Sequence, residues 1–205
     1  MSSRRQMLAF LSLSRLPTEF QEVEYIESSG TQYIDTDLGL TENTGCYIDV
    51  QFSTSGNQQA LGSLEPGVGR FAPCFMDSDG YIKCAINLSN AMEIYTQIDV
   101  LNRHNYEYNV SNRDIKIDGV SKGTVGSIGS TNNSIYLFRR NYSSSPLASN
   151  IKLYSCKLYD NGTLVRNFIP CYRKADNETG LYDLVNDVFY TNAGTGTFTK
   201  GNDVW

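Results

Sequence analysis

Two antiparallel sheets stacked face to face, an all-β sandwich, are predicted by three observations: residue content, a two-residue rhythm in several segments, and the dipeptides between them. The 205 residues include 14 Tyr, 9 Phe and 17 Gly, which suit pleated strands and tight turns better than long helices. In Cys46-Tyr-Ile-Asp-Val-Gln-Phe52 the set Cys46, Ile48, Val50 and Phe52 faces one way, and Tyr47, Asp49 and Gln51 the other. Asp118-Gly119 and Asn161-Gly162 tolerate the positive φ that a two-residue hairpin requires.

Taken in order, residues 1–16 read as an N-terminal arm or anchor and residues 17–205 as one sandwich. The arm combines Arg4, Arg5 and Arg15 with an apolar stretch containing Met7, Leu8, Phe10 and Leu11; a secretory signal is the rival reading. Beyond it, Tyr81 to Asn87 repeats the alternation with Ile82, Cys84 and Ile86 inward, and Tyr106 to Val110 does so with Tyr106, Tyr108 and Val110. Asp79-Gly80 is a third turn candidate. Ser134 to Arg139 and Asn150 to Tyr159 read as neighbours in one sheet, joined by a surface loop at Ser143-Ser-Ser-Pro146. No segment of ten or more residues has helical periodicity, so the strands must make the core from the inner faces of two sheets.

A formal net charge of −5 is wrong for tracking a phosphate backbone, which needs clustered Lys and Arg, so nucleic acid is not expected as a partner. No apolar run approaches the roughly 20 residues of a membrane-spanning helix. The cysteines, Cys46, Cys74, Cys84, Cys156 and Cys171, are odd in number and lack metal-ligand spacing; small buried thiols explain them, with no disulfide framework.

Three stretches go beyond generic strand pattern: Leu16-Pro17 with Glu22 to Thr36 (EVEYIESSGTQYIDT), Lys152 to Lys174 (KLYSCKLYDNGTLVRNFIPCYRK), and Gly180 to Gly196 (GLYDLVNDVFYTNAGTG). Together they resemble the laminin-G-like, concanavalin A-like jelly-roll domains of gut bacteriophage structural proteins and gut bacterial surface proteins. The resemblance spans about Leu16 to Gly201. It implies a binding or display module and brings no catalytic constellation with it.

The residues offer no catalytic constellation. Glycoside hydrolysis needs two carboxylates flanking the scissile bond; the nearest imitation of the strand-borne acidic run is Asp114-Ile-Lys-Ile-Asp118, where Lys116 holds the central place and Asp118 belongs to a turn. Glu22 and Glu24 read as a solvated outer face. A nucleophile needs an adjacent base, and His104, the one histidine, reads as a structural residue at a strand start. One histidine and scattered cysteines give no zinc site. Asp77-Ser-Asp-Gly80 has oxygen ligands at alternate positions, as in part of a calcium loop, but a β-turn between Phe75 and Tyr81 is the better reading and no cofactor is expected.

The resulting expectation is a non-enzymatic bacteriophage virion subunit: decoration, fibre or tail-associated. Residues Arg4, Arg5, Met7, Leu8, Phe10 and Leu11 would anchor it to other virion proteins, with Tyr142 and Asn192 as candidate ligand contacts for host-surface or mucosal glycans. The alternative is a secreted or surface-attached carbohydrate-binding protein of a gut bacterium. Trp205 reads as a contact residue or a plug. A homo-oligomer is compatible with either reading, but no heptad repeat specifies one.

Overall fold

A computed structural model describes residues 15–89, 93–131, 133–144 and 147–204. The larger sheet runs, in spatial order, β12 (Val120–Thr124), β11 (Asp114–Ile117), β10 (His104–Asn109), β4 (Thr44–Phe52), β14 (Ile151–Asp160), β15 (Thr163–Arg173), β16 (Glu178–Asp183) and β17 (Val188–Tyr190). Past the point where β14 and β15 stop pairing, β1 (Phe20–Glu22) pairs β15, while β2 (Ile26–Glu27) pairs β14 and β18 (Thr199–Lys200). The smaller sheet runs β3 (Ile34–Gly39), β13 (Ser134–Leu137), β6 (Leu61–Glu65), β7 (Gly69–Met76), β8 (Tyr81–Asn87) and β9 (Ile94–Gln97), with β5 (Gln58–Gln59) on β7. All pairings between these strands are antiparallel. The protein is an all-β sandwich.

Both hairpin dipeptides fold as expected. Asp118 and Gly119 have φ of 51° and 75°, Asn161 and Gly162 have 48° and 77°, and Ile117 faces Val120 as Asp160 faces Thr163. Positive φ at both central residues is the twist that matches the flanking strands. Asp79-Gly80 lies in a wider turn, closed where the Asp77 N–H donates to the Tyr81 carbonyl at 3.1 Å.

Between the sheets, Cys46, Ile48, Val50 and Phe52 of β4 are sealed from solvent against Phe71, Ile82, Cys84, Leu137 and Phe138, and Tyr106 and Tyr108 join the same core. Two expectations are corrected. Ser134 to Arg139 and Asn150 to Tyr159 belong to opposite sheets: β13 is paired on both sides by β3 and β6, so the chain turns away at Phe138, at φ 68°, and crosses to pair β4 and β15. The crossing segment brings Leu147 onto Ala72, Phe75 and Ala85 on the outer side of the small sheet, so Ala85 of β8 is buried on the face away from the core.

The second correction concerns Glu22, which is 7% exposed and ion-paired with Arg15; Glu24 is exposed. The last two residues of the expected arm therefore lie against the sandwich, because Leu16 also packs with Phe20, Ile169, Cys171 and Tyr182 on the outer side of β15 and β16. Residues Arg4, Arg5, Met7, Leu8, Phe10 and Leu11, and Trp205, lie outside the described residues. No helix among the described residues is long and apolar enough to cross a membrane.

All five cysteines are buried and free. Burial pushes the Cys46 and Cys171 thiols up to about 12 and raises Cys74, Cys84 and Cys156 as well. Because the thiolate is the reactive species, a thiol reagent at neutral pH should label none of the five in the folded protein and all five after denaturation. Rapid native labelling would show that the core opens.

Candidate functional site

Alternation fixes what the outer face of the large sheet carries. With Cys46, Ile48 and Val50 inward, β4 turns Gly45, Tyr47, Asp49 and Gln51 outward. Register then sets their neighbours: Gly45 faces Tyr159 and Tyr47 faces Lys157 on β14, while Tyr47 faces Glu107 on β10, which in turn faces Lys116 on β11. A glycine among these side chains leaves a gap. A cleft of about 300 Å³ opens there, lined by Gly45, Tyr47, Glu107, Asn109, Tyr159 and Gly162, with strand backbone as its floor. A Cβ on Gly45 would stand 3.1 Å from the Tyr108 carbonyl and 3.7 Å from the Tyr159 Cβ, so a side chain at this position would intrude on the cleft.

The polar groups around the cleft can both donate and accept. Burial, then Asp49, pushes the Tyr47 hydroxyl above its ordinary value, and burial, then Glu107, does the same for Tyr159. Both phenols therefore stay protonated at neutral pH, each a donor and an acceptor beside an apolar ring. Glu107 lies 3.6 Å from the Lys116 ammonium.

Beyond Tyr47 on the same face, Arg103 grips Asp49 through two bonds of 2.8 and 2.6 Å and lies 3.8 Å over the Tyr154 ring. The Tyr154 hydroxyl donates to Gln51 at 3.0 Å, and its ring meets Tyr25 edge-on at 5.4 Å. These contacts hold the aromatic planes in place without covering the cleft.

The residues expected from sequence lie elsewhere. Asn192 accepts from the Tyr33 N–H at 3.1 Å and the Gly194 N–H at 2.8 Å and donates to the Gly196 carbonyl at 2.9 Å, so its amide organises its own loop. That loop sits beside Tyr33, which stacks on Tyr136 and lies under Arg139. Tyr142 is half-buried with Arg140 over its ring at 5.5 Å. The two residues share no hydrogen bond or ring contact among the described residues, and neither lines the cleft.

The acidic candidates are occupied. Asp114 accepts from the Ser121 hydroxyl at 2.6 Å; Asp118 bonds His104 Nδ1 at 2.6 Å and accepts from the Asn105 N–H at 3.0 Å. The other His104 nitrogen meets the Asp99 carbonyl at 3.0 Å, so the histidine ties a turn to a strand start. Asp77 and Asp79 both close on the Lys83 ammonium. No cluster of three or more His, Cys, Asp or Glu that could hold a metal ion occurs among the described residues.

No protein-family model matches the chain, and no curated protein matches it. Among solved structures it resembles the crystal structure of a Bacteroides ovatus protein, described there as a candidate carbohydrate binding protein, with a TM-score of 0.57 at 11% identity. The likeness establishes the β-sandwich fold. It covers 88% of this chain and 61% of that one.

Alternation alone places Tyr47 on an outward face without naming its neighbours. Glycine inside a strand pattern and Tyr159 just before the Asn161-Gly162 hairpin were the available signals; only the β4–β14 register joins them.

Hydrogen bonds from Lys83 hold the Asp77 and Asp79 carboxyls below their ordinary 3.8, and those same bonds hold Lys83 above its ordinary 10.5. A depressed carboxylate contributes stability above its unfolded value and loses it as pH falls through its folded value; a raised ammonium contributes below its unfolded value and loses it as pH rises through its folded one. Lys83→Met should therefore lower the urea midpoint at neutral pH, and the gap from wild type should close as pH drops below 3.8. A gap independent of acid would assign the loss to packing instead.

Proposed function

We propose that the protein binds carbohydrate, without catalysis, on the outer face of the large sheet around Tyr47 and Tyr159. The observation that carries this reading is the cleft floored by Gly45, in which two tyrosine rings are flanked by Glu107 and Asn109. A sugar offers apolar C–H faces and a rim of hydroxyls, and such a site answers both, with ring planes for the first and carboxylate, amide and backbone groups for the second. The fold shared with a protein described as a candidate carbohydrate binding protein supports the reading. The occupied state of Asp114, Asp118 and His104 supports binding rather than hydrolysis. Screening the protein on a glycan array should find a retained glycan, and Tyr159→Ala should weaken it roughly tenfold, about 1.4 kcal/mol, while the protein stays folded. Undiminished binding by the variant would move the site elsewhere.

The same sandwich serves either a secreted or cell-surface protein or a virion subunit. The Bacteroides likeness favours the secreted or surface reading; the virion reading draws on the jelly-roll resemblance and on residues 1–16 as a docking arm. N-terminal sequencing of the native protein separates them: a mature start near Arg15 supports secretion, and an intact terminus on protein recovered from particles supports the virion.

A further inference from the structure

The outer face of the large sheet holds a second hollow. It measures about 320 Å³ and is lined by Glu27, Ser53, Thr54, Asn150, Thr197 and Thr199, among others. Its residues belong to the same face as the Tyr47–Tyr159 cleft, because Lys152 on β14 faces Gln51 on one side and Glu27 on the other, and Glu27 faces Thr199 on β18. Ser53 donates to the Glu27 carboxylate at 2.5 Å.

The ground between the two hollows is continuous and has one chemistry. From the cleft inward come Tyr47 with the Lys157 ammonium 5.9 Å from its ring centroid, then Arg103 over Tyr154, then Tyr25 with the Lys152 ammonium at 4.8 Å, and then Glu27. Lys152 and Lys157 form no ion pair among the described residues, so both keep hydrogen-bond donors for a ligand. Along β4 the track runs from Gly45 to Ser53, roughly 26 Å at about 3.3 Å per residue. That exceeds any single sugar several times over.

We propose that the ligand of this face is a linear polysaccharide bound along its length, from the Tyr159 cleft to the Glu27–Thr199 hollow, rather than a terminal sugar. The proposal rests on the carbohydrate-binding reading above. Tyrosine planes repeat along the track with cationic and hydroxyl donors between them, which suits a repeating ligand whose apolar faces and oxygens also recur; a pocket for one terminal residue would concentrate those groups at one end.

Calorimetric titration of the full chain with a length series of one retained glycan, from disaccharide to octasaccharide, tests it. Affinity should climb by at least tenfold across the series at one site per chain. Thr199→Arg, which intrudes on the far hollow, and Glu27→Gln, which removes its carboxylate, should each cut that gain with length, with thermal melts confirming the fold. Affinity that levels off at the disaccharide, or an octasaccharide indifferent to both variants, would overturn the extended-ligand inference and leave glycan binding standing. Failure to bind glycans of any length would overturn both.

Discussion

The pairing of β4 with β14 sets both the core and the outer face of the large sheet. Nine residue pairs run from Ile151↔Phe52 to Asp160↔Thr44, and the inward members, Cys46, Ile48, Val50, Phe52, Ile151, Leu153, Cys156 and Leu158, form the centre of the core. Because side chains alternate, committing these residues inward commits Gly45, Tyr47, Asp49, Lys157 and Tyr159 outward. Core and candidate site are two faces of one register, and a one-residue slip would destroy both.

That register survives only because of a bulge. Leu153 and Cys156 both point inward although they are three positions apart, an odd spacing that strict alternation forbids. The shift between Leu153 and Ser155 sets Tyr154 and Ser155 against Asp49 alone and restores the phase. It also turns Tyr154 outward beside Arg103, so a device that keeps the core in register also supplies the middle of the aromatic track.

Charge is handled differently on the two sides of the large sheet. Outside, Arg103 with Asp49 and Lys116 with Glu107 keep contact with solvent, where exposed pairs stabilise little but fix the orientation of the groups around the rings. Inside, Asp183 is fully buried, and its carboxylate accepts from the Asn167 N–H at 2.8 Å, the Val185 N–H at 3.1 Å and the Asn186 amide at 2.7 Å. Arg166 stands 3.7 Å away and donates to the Thr36 carbonyl of the opposite sheet at 3.2 Å. A buried carboxylate is tolerable when its lone pairs are so used, and here it locks the turn between β16 and β17 while its arginine neighbour bonds across the sandwich.

Features set by local energetics are legible in the sequence. The strand class, the inward set of β4, the Asp118-Gly119 and Asn161-Gly162 hairpins and the burial of the thiols all follow from side-chain period, positive-φ tolerance and hydrophobicity within a few neighbouring residues. Tertiary structure decided the rest: that β13 and β14 lie in opposite sheets, that Glu22 is buried against Arg15, that Asn192 is spent on its own loop, and that Gly45 meets Tyr159. Each of these depends on a partner far away in the sequence: β6 for β13, β15 for Glu22, Tyr33 for Asn192 and β14 for Gly45. That choice is made by the sum of many long-range contacts, so no single segment of the sequence displays it.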